Sequence, residues 1–276
     1  MSRLAGGVAV VTGGGDGIGR ALVLEAAHRG MHLAVADIRL DAARAVADEA
    51  RALGADAVAL ACDVSDRASI EDAAAAVTAR FGRANLIWAN AGLGIGQGFL
   101  EARRRNLDWM YQVNVYGTFD TVRGFHALLP ETGLRHFGIT GSMAGLTASA
   151  GASPAYDATK YAVVGIAEGL RAELEGSGVG VTLLCPGLVN TRIWDGARAR
   201  PQRWGGPKTL PEEFGERWRR DGLDPTAVAV AALVGANVAT ANFWQTSFIA
   251  VRLGLPGFLL PFIFLPLPFL FHTPPS

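Results

Sequence analysis

Six short apolar runs, each feeding a stretch of helical spacing, limit what this chain can fold into. They are "GVAVVTGG", "HLAVAD", "DAVALACDV", "NLIWANAG", "HFGITGS" and "VGVTLLCPG". Strands that are apolar almost throughout need cover on both faces, and strands joined through helices run parallel. The handedness of such crossovers leads to a doubly wound α/β fold. "NFWQTSFIAV" would add a last strand, so the expectation is one domain over 1–252 with a parallel seven-stranded sheet. "NLDWMYQVNVYGTFDTVRGFHALLP" reads as one long helix, and Asp224 with Pro225 reads as the start of another.

Half of the 276 residues are hydrophobic and 18% are charged, which excludes a disordered chain. The formal net charge is zero, so nothing points to a nucleic-acid partner. Cys62 and Cys185 have neither metal-ligand nor C-x-x-C spacing and read as buried free thiols in a reducing compartment. "MSRLAGGVAVVTGGG" has no long apolar core with a cleavage site, so a cytoplasmic location is expected.

Three constellations carry chemistry. "TGGGDGIG", Thr12 to Gly19, joins the first strand to the first helix, where backbone N–H groups and a helix N-terminus suit a pyrophosphate. Asp37 ends the second strand, where a carboxylate accepts hydrogen bonds from ribose hydroxyls and repels the extra phosphate of NADP. Two unit charges about 5 Å apart at an effective dielectric near 20 interact by roughly 3 kcal/mol. Halved for screening, that still favours NAD by about tenfold or more. Arg39, two residues on, works against this, since a guanidinium can accommodate a phosphate. Tyr156 and Lys160 lie four apart at the start of a helix, after a strand that ends in Ser142. A tyrosine acting near neutral pH must titrate well below its ordinary value near 10, at a cost on the order of 4 kcal/mol. An ammonium one turn away is a suitable cation for that.

With these motifs in order, the chain resembles the classical short-chain dehydrogenases/reductases over residues 5 to about 250, which implies a Rossmann fold. Gly13, Gly17 and Gly19 match the glycines of the cofactor motif, with Gly15, Asp16 and Ile18 between them. Asp63, followed by Val64, matches an acid that contacts adenine; Asn90, Ala91 and Gly92 match the strand-four motif. Asn114, Ser142, Tyr156 and Lys160 match the catalytic tetrad, and Pro186, Gly187, Val189 and Thr191 the loop that holds the nicotinamide carboxamide. The Ser142–Tyr156 spacing is one residue longer than the family's commonest; the loop "AGLTASAGASP" absorbs it. Gly15 stands where members that prefer NADP often carry a base, so NAD is the expected cofactor and NADP the alternative.

The resemblance implies hydride transfer between an alcohol carbon and nicotinamide. Ser142 polarises the substrate oxygen, Tyr156 exchanges its proton, and Lys160 lowers the tyrosine's pKa and holds the nicotinamide ribose. Asn114 positions a water that links Lys160 to solvent. Residues 187–224 fall where the family places a substrate lid. Trp194, Trp204, Phe214 and Trp218 make this segment aromatic, suiting an apolar substrate. It is similar, with the preceding helix, to bacterial Cα-dehydrogenases that oxidise benzylic alcohols and to lipophilic-alcohol dehydrogenases. The expectation is therefore a bulky lipophilic secondary alcohol or its ketone. Arg192, Arg198, Arg200, Arg203 and Arg217, with Arg219 and Arg220, offer carboxylate or phosphate recognition instead. An NADPH-dependent ketoreductase and a non-enzymatic dinucleotide sensor are the rival readings.

The tail 253–276 is apolar, and 253–271 approaches the length of a membrane span. Pro256, Pro261, Pro266 and Pro268 would break a spanning helix, at about 3 kcal/mol each in a helix interior. Two readings remain: peripheral membrane contact through 253–271, slightly favoured, and packing across a neighbouring subunit in a homodimer or homotetramer.

Overall fold

The computed structural model describes residues 4–147 and 154–238. Its strands are β1 (Val8–Thr12), β2 (His32–Asp37), β3 (Ala57–Ala61), β4 (Leu86–Ala89), β5 (His136–Thr140) and β6 (Gly180–Leu184). They form one sheet of order β3-β2-β1-β4-β5-β6, and every pairing is parallel. The seventh strand expected at 242–251, the tail 253–276 and most of the loop before Tyr156 lie outside the described residues; the described sheet has six strands.

The helices are α1 (Gly17–His28), α2 (Leu40–Ala52), α3 (Arg67–Phe81), α4 (Arg104–Tyr111), α5 (Gly117–His126), α6 (Pro154–Glu173), α7 (Glu216–Asp221) and α8 (Pro225–Val238). One apolar layer joins Leu22 and Val23 of α1, Val46 of α2 and Leu233 of α8 to Val11, Leu33 and Trp88 of the sheet. The opposite layer joins Ile70, Met110, Phe125 and Val163, from α3, α4, α5 and α6, to Val10, Ile87 and Phe137. Strand residues alternate between these layers, so both sheet faces are buried and the runs are apolar throughout. Each such large side chain contributes about 1.5–3 kcal/mol by leaving water.

The single long helix expected between β4 and β5 is instead α4 and α5 joined by a π-turn, Gln112–Tyr116. One extra residue is accommodated there, at Asn114. Segment 187–224 is built of short 3-10 turns, Ile193–Ala199, Gln202–Trp204 and Glu212–Gly215, leading into α7. Asp224 caps α8 as expected, accepting from Thr226 N at 2.9 Å. Among the described residues no helix is long and apolar enough to cross a membrane. Sheet order reverses between β1 and β4, and the crevice outside the carboxyl ends of those strands is where folds of this kind bind ligands.

Candidate active site

The chain leaves β1 at Thr12 and turns sharply into α1. A Cβ on Gly19 would lie 2.0 Å from the Gly13 carbonyl oxygen. Gly17 has φ +53°, and a Cβ there would meet Thr191 Cγ2 at 2.9 Å. Only glycine fits either place. Asp16 caps α1 by accepting from Gly17 N at 2.8 Å, and Ile18 packs against the core. Asn90 and Ala91 brace the turn from β4: their N–H groups donate to Thr12 Oγ1 at 3.1 and 3.3 Å, and Asn90 Nδ2 donates to Thr12 O at 3.1 Å. Thr140 of β5 donates to Asn90 Oδ1 at 3.1 Å while accepting from Trp88 Nε1 at 3.0 Å.

Asp37 is 7% exposed. Its carboxylate accepts from Gly15 N and Arg39 N, both at 2.9 Å, which fixes it beside the glycine turn. The Arg39 guanidinium faces carboxylates, 3.6 Å from Asp16 and 4.0 Å from Asp37. Further along the edge, Val64 is buried and Asp63 Oδ1 accepts from Ser65 N and Oγ at 2.9 and 2.6 Å. Asp63 Oδ2 accepts from Arg203 at 2.7 Å. The loop after β6 lies on the other side of the crevice. Pro186 O accepts from Met143 N at 3.0 Å, Gly187 has open space around it, Val189 is buried, and Thr191 rests on Gly17.

Ser142, Tyr156, Lys160 and Asn114 come together from three elements. Ser142 follows β5, where its Oγ accepts from Ala144 N at 3.1 Å, and its hydroxyl hydrogen-bonds Tyr156 of α6. Lys160, one turn on, is buried; its Nζ donates to Thr140 O at 3.0 Å and lies 5.8 Å from the Tyr156 ring centre. Asn114 Oδ1 accepts from Leu93 N at 2.9 Å, and its Nδ2 donates to Leu93 O at 3.0 Å and Thr159 Oγ1 at 2.9 Å. The Asn114 amide thus clamps the chain after β4 onto α6. A side chain at position 92 would meet Asn114 Oδ1 at 3.4 Å and Lys160 Nζ at 3.6 Å, so both polar ends approach across the Gly92 backbone.

The electrostatics differ from the expectation that Lys160 lowers the Tyr156 pKa. Burial pushes the Tyr156 hydroxyl up to about 12, the Ser142 hydrogen bond draws it down, and Asp157 raises it again. Burial also pulls Lys160 down to about 8. Both groups are removed from water, and each then disfavours its charged form. In the chain by itself Tyr156 holds its proton at neutral pH.

Segment 187–224 crosses the crevice. Arg198 donates to Asp16 Oδ2 at 2.8 Å, and Arg203 reaches Asp63 as described. Asp195 is fully buried and organises the segment, accepting from Arg192 at 2.9 Å and from Leu210 N at 3.0 Å. Trp194 is buried beside Gly215, where a Cβ would meet its ring at 2.4 Å, whereas Phe214 is exposed. The four aromatics are therefore not one apolar surface. Sequence reasoning missed Thr12, Thr140 and Thr159 as braces and the pairing of Arg198 and Arg203 with cofactor-motif acids. Thr12 opens the glycine motif and Thr140 closes β5, which was the available signal for those two.

A nicotinamide dinucleotide fits this donor set. The glycine turn admits no Cβ, Asp37 is fixed at the end of β2, and the crevice ends at Ser142, Tyr156 and Lys160. Residues 7–202 match the family model described as short chain dehydrogenase. The chain is 36% identical over 202 residues to D-threitol dehydrogenase of Mycolicibacterium smegmatis, covering 71% of this chain and 76% of that protein. It is 36% identical over 221 residues to 1-deoxy-11-beta-hydroxypentalenate dehydrogenase of Streptomyces exfoliatus, covering 78% and 80%. A short chain dehydrogenase/reductase from Burkholderia phymatum, in complex with NAD, superposes with a TM-score of 0.79 at 32% identity, covering 87% of this chain and 88% of that one.

Proposed function

The chain belongs to the short chain dehydrogenase family, and we propose that within it the protein interconverts a bulky lipophilic secondary alcohol and its ketone, with NAD and with Tyr156 as acid/base. Membership makes it an oxidoreductase on a dinucleotide-binding Rossmann fold. The observation that carries the finer reading is the Ser142–Tyr156 hydrogen bond with the Lys160 ammonium 5.8 Å from the ring.

Bound nicotinamide dinucleotide supplies the hydride acceptor or donor, and its oxidised ring adds a positive charge to the site. The holding residues are the turn Gly13–Gly19 with Gly15, Asp16 and Ile18, then Asp37 and Arg39, Asp63 and Val64, Asn90–Gly92, Tyr156 and Lys160, and Pro186, Gly187, Val189 and Thr191. Ser142 donates to the substrate oxygen and polarises it. Tyr156 gives that oxygen a proton in reduction and takes it in oxidation. In the chain by itself Lys160 does not lower the Tyr156 pKa; its ammonium, fixed by Thr140 O, would hold the nicotinamide ribose, and the charge of the oxidised ring would favour the tyrosinate in oxidation. Asn114 keeps the segment after β4 in register with α6.

Asp37 supports NAD, because a fixed carboxylate at the end of β2 beside the glycine turn would repel a 2′-phosphate. The pentalenate-type relative supports a lipophilic alcohol; the threitol-type relative keeps polyols among the alternatives. A second reading, an NADPH-dependent ketoreductase, is favoured by the protonated Tyr156 and by Arg39 and Arg198 beside the glycine turn. Exposed Tyr116, Phe119 and Tyr161 on the outer helices support association with a second copy, as a homodimer or homotetramer. Peripheral membrane contact through 253–271 rests on its composition.

The test is NADH and NADPH formation by the full-length protein on benzylic, steroidal and polyol secondary alcohols. Turnover with NAD on lipophilic members supports the proposal. Turnover confined to polyols overturns the substrate class, and a preference for NADP overturns the cofactor.

A further inference from the structure

Arg198 and Arg203 each face a carboxylate, Asp16 and Asp63. Arg200, between them, does not. It is 5% exposed, and its guanidinium makes no ion pair or hydrogen bond among the described residues; its Nε is buried without a partner. It lies over the indole of Trp109 on α4, 4.6 Å from the ring centroid. Burial lowers its pKa from the ordinary value, and the neighbouring charge of Arg105 lowers it further. Two more buried donors in the same seam between α4 and the 3-10 turns have no acceptor: Nε1 of Trp109 and Nε1 of Trp204.

Buried polar groups nearly always find partners, and a covered charge without one is costly. Three orphan donors, one a cation, with no acceptor among them are the complement of an anion. A guanidinium held over an indole keeps a planar fork of N–H donors, which matches the two oxygens of a carboxylate or phosphate.

We propose that Arg200, with Trp109 and Trp204, forms an oxyanion-binding site that takes a carboxylate or phosphate group. Its role rests on the dehydrogenase reading. Ile193, which opens the turn leading to Arg200, and the catalytic tyrosine both surround Gly94: a side chain at position 94 would meet Tyr156 Cδ2 at 3.7 Å and Ile193 Cγ1 at 3.8 Å. The kinked turn Ile193–Ala199 leads from there to Arg200. An elongated lipophilic hydroxy acid or oxo acid, with its carbinol or carbonyl carbon at Tyr156, would set its acid group there. The same oxyanion chemistry is carried by the dinucleotide's phosphates.

The test is titration of the full-length protein with decanoate, inorganic phosphate, NAD and NADP, followed by calorimetry, for wild type, Arg200→Met and Trp204→Phe. Arg200→Met keeps the aliphatic stem; Trp204→Phe keeps the ring and removes one N–H, and serves if the first variant fails to fold. The expected result is decanoate affinity weakened about tenfold or more in Arg200→Met and severalfold in Trp204→Phe. Unchanged NAD and NADP affinities would then assign the oxyanion to the substrate. Dinucleotide affinity that falls with Arg200→Met, with phosphate competing against it, supports the site and assigns it to the cofactor. Equal affinities in all three proteins, or no binding of decanoate or phosphate by wild type at millimolar concentration, would overturn the site. Oxyanion binding through Arg200 without NAD binding sinks the dehydrogenase reading alone; NAD binding and alcohol turnover without an oxyanion response sink this inference alone.

Discussion

At the floor of the crevice, polar atoms are held by neutral hydrogen bonds: Thr12, Asn90 and Thr140 join the tips of β1, β4 and β5, and Asn114 clamps Leu93 to Thr159. The segment 192–204 that crosses the crevice is attached differently, through Arg198 to Asp16 and Arg203 to Asp63. Bonds of the first kind hardly respond to salt, and their loss leaves buried groups unsatisfied. Ion pairs near the surface are each worth about 0–1 kcal/mol and are screened. The floor rests on bonds that salt does not screen, while the crossing segment adds screened ion pairs to its own buried anchors, Asp195 and Trp194.

Gly19→Ala strikes the floor hardest. With a Cβ 2.0 Å from a backbone oxygen, the turn must distort, so stability should fall by about 1–3 kcal/mol and NAD affinity by about a hundredfold, read by thermal denaturation and titration. Wild-type affinity in this variant would break the claim of a rigid floor. Lys160→Met tests whether the floor carries a functional cost. Lys160 titrates at about 8 in the folded protein, below an ordinary value near 10.4, so the unfolded chain binds more protons between those pH values. Stability therefore rises with pH through that window, and below it the buried ammonium costs about 3 kcal/mol. Allowing about 1 kcal/mol for the lost bond to Thr140 O, Lys160→Met should be more stable by about 2 kcal/mol at pH 7, with turnover lost. The difference should shrink and then reverse sign as pH rises past 10, and denaturation midpoints across pH check it.

In the crossing segment, Asp195→Asn should cost about 1–2 kcal/mol and expose residues 192–210 to protease, because it weakens acceptance from Arg192 and Leu210 N. Arg203→Ala should have the smallest effect. Its side chain is 47% exposed, so stability should change by less than about 1 kcal/mol, while NAD affinity rises slightly as Asp63 is released. A large loss of stability there would make the segment part of the floor after all.

Legibility in the sequence follows the same division. "TGGGDGIG", "NAG" and the Tyr156–Lys160 spacing are local patterns that the backbone demands, so they can be read before folding. The six described strands are legible because burial on both faces leaves them apolar. The Arg198–Asp16 and Arg203–Asp63 pairs join residues 182 and 140 positions apart, and no local pattern records them. The π-turn at Asn114 is invisible because one added residue hardly alters the helical spacing. The directions for Tyr156 and Lys160 are not legible in the sequence, because the four-residue spacing reports their mutual charge and not the burial of both groups in the fold.

The most direct test of the catalytic account is NAD reduction on a responsive secondary alcohol by wild type and Tyr156→Phe, with NAD affinity measured on both. The account predicts equal affinity and turnover lower by about 10²–10⁴ in the variant. Wild-type turnover in Tyr156→Phe would contradict it.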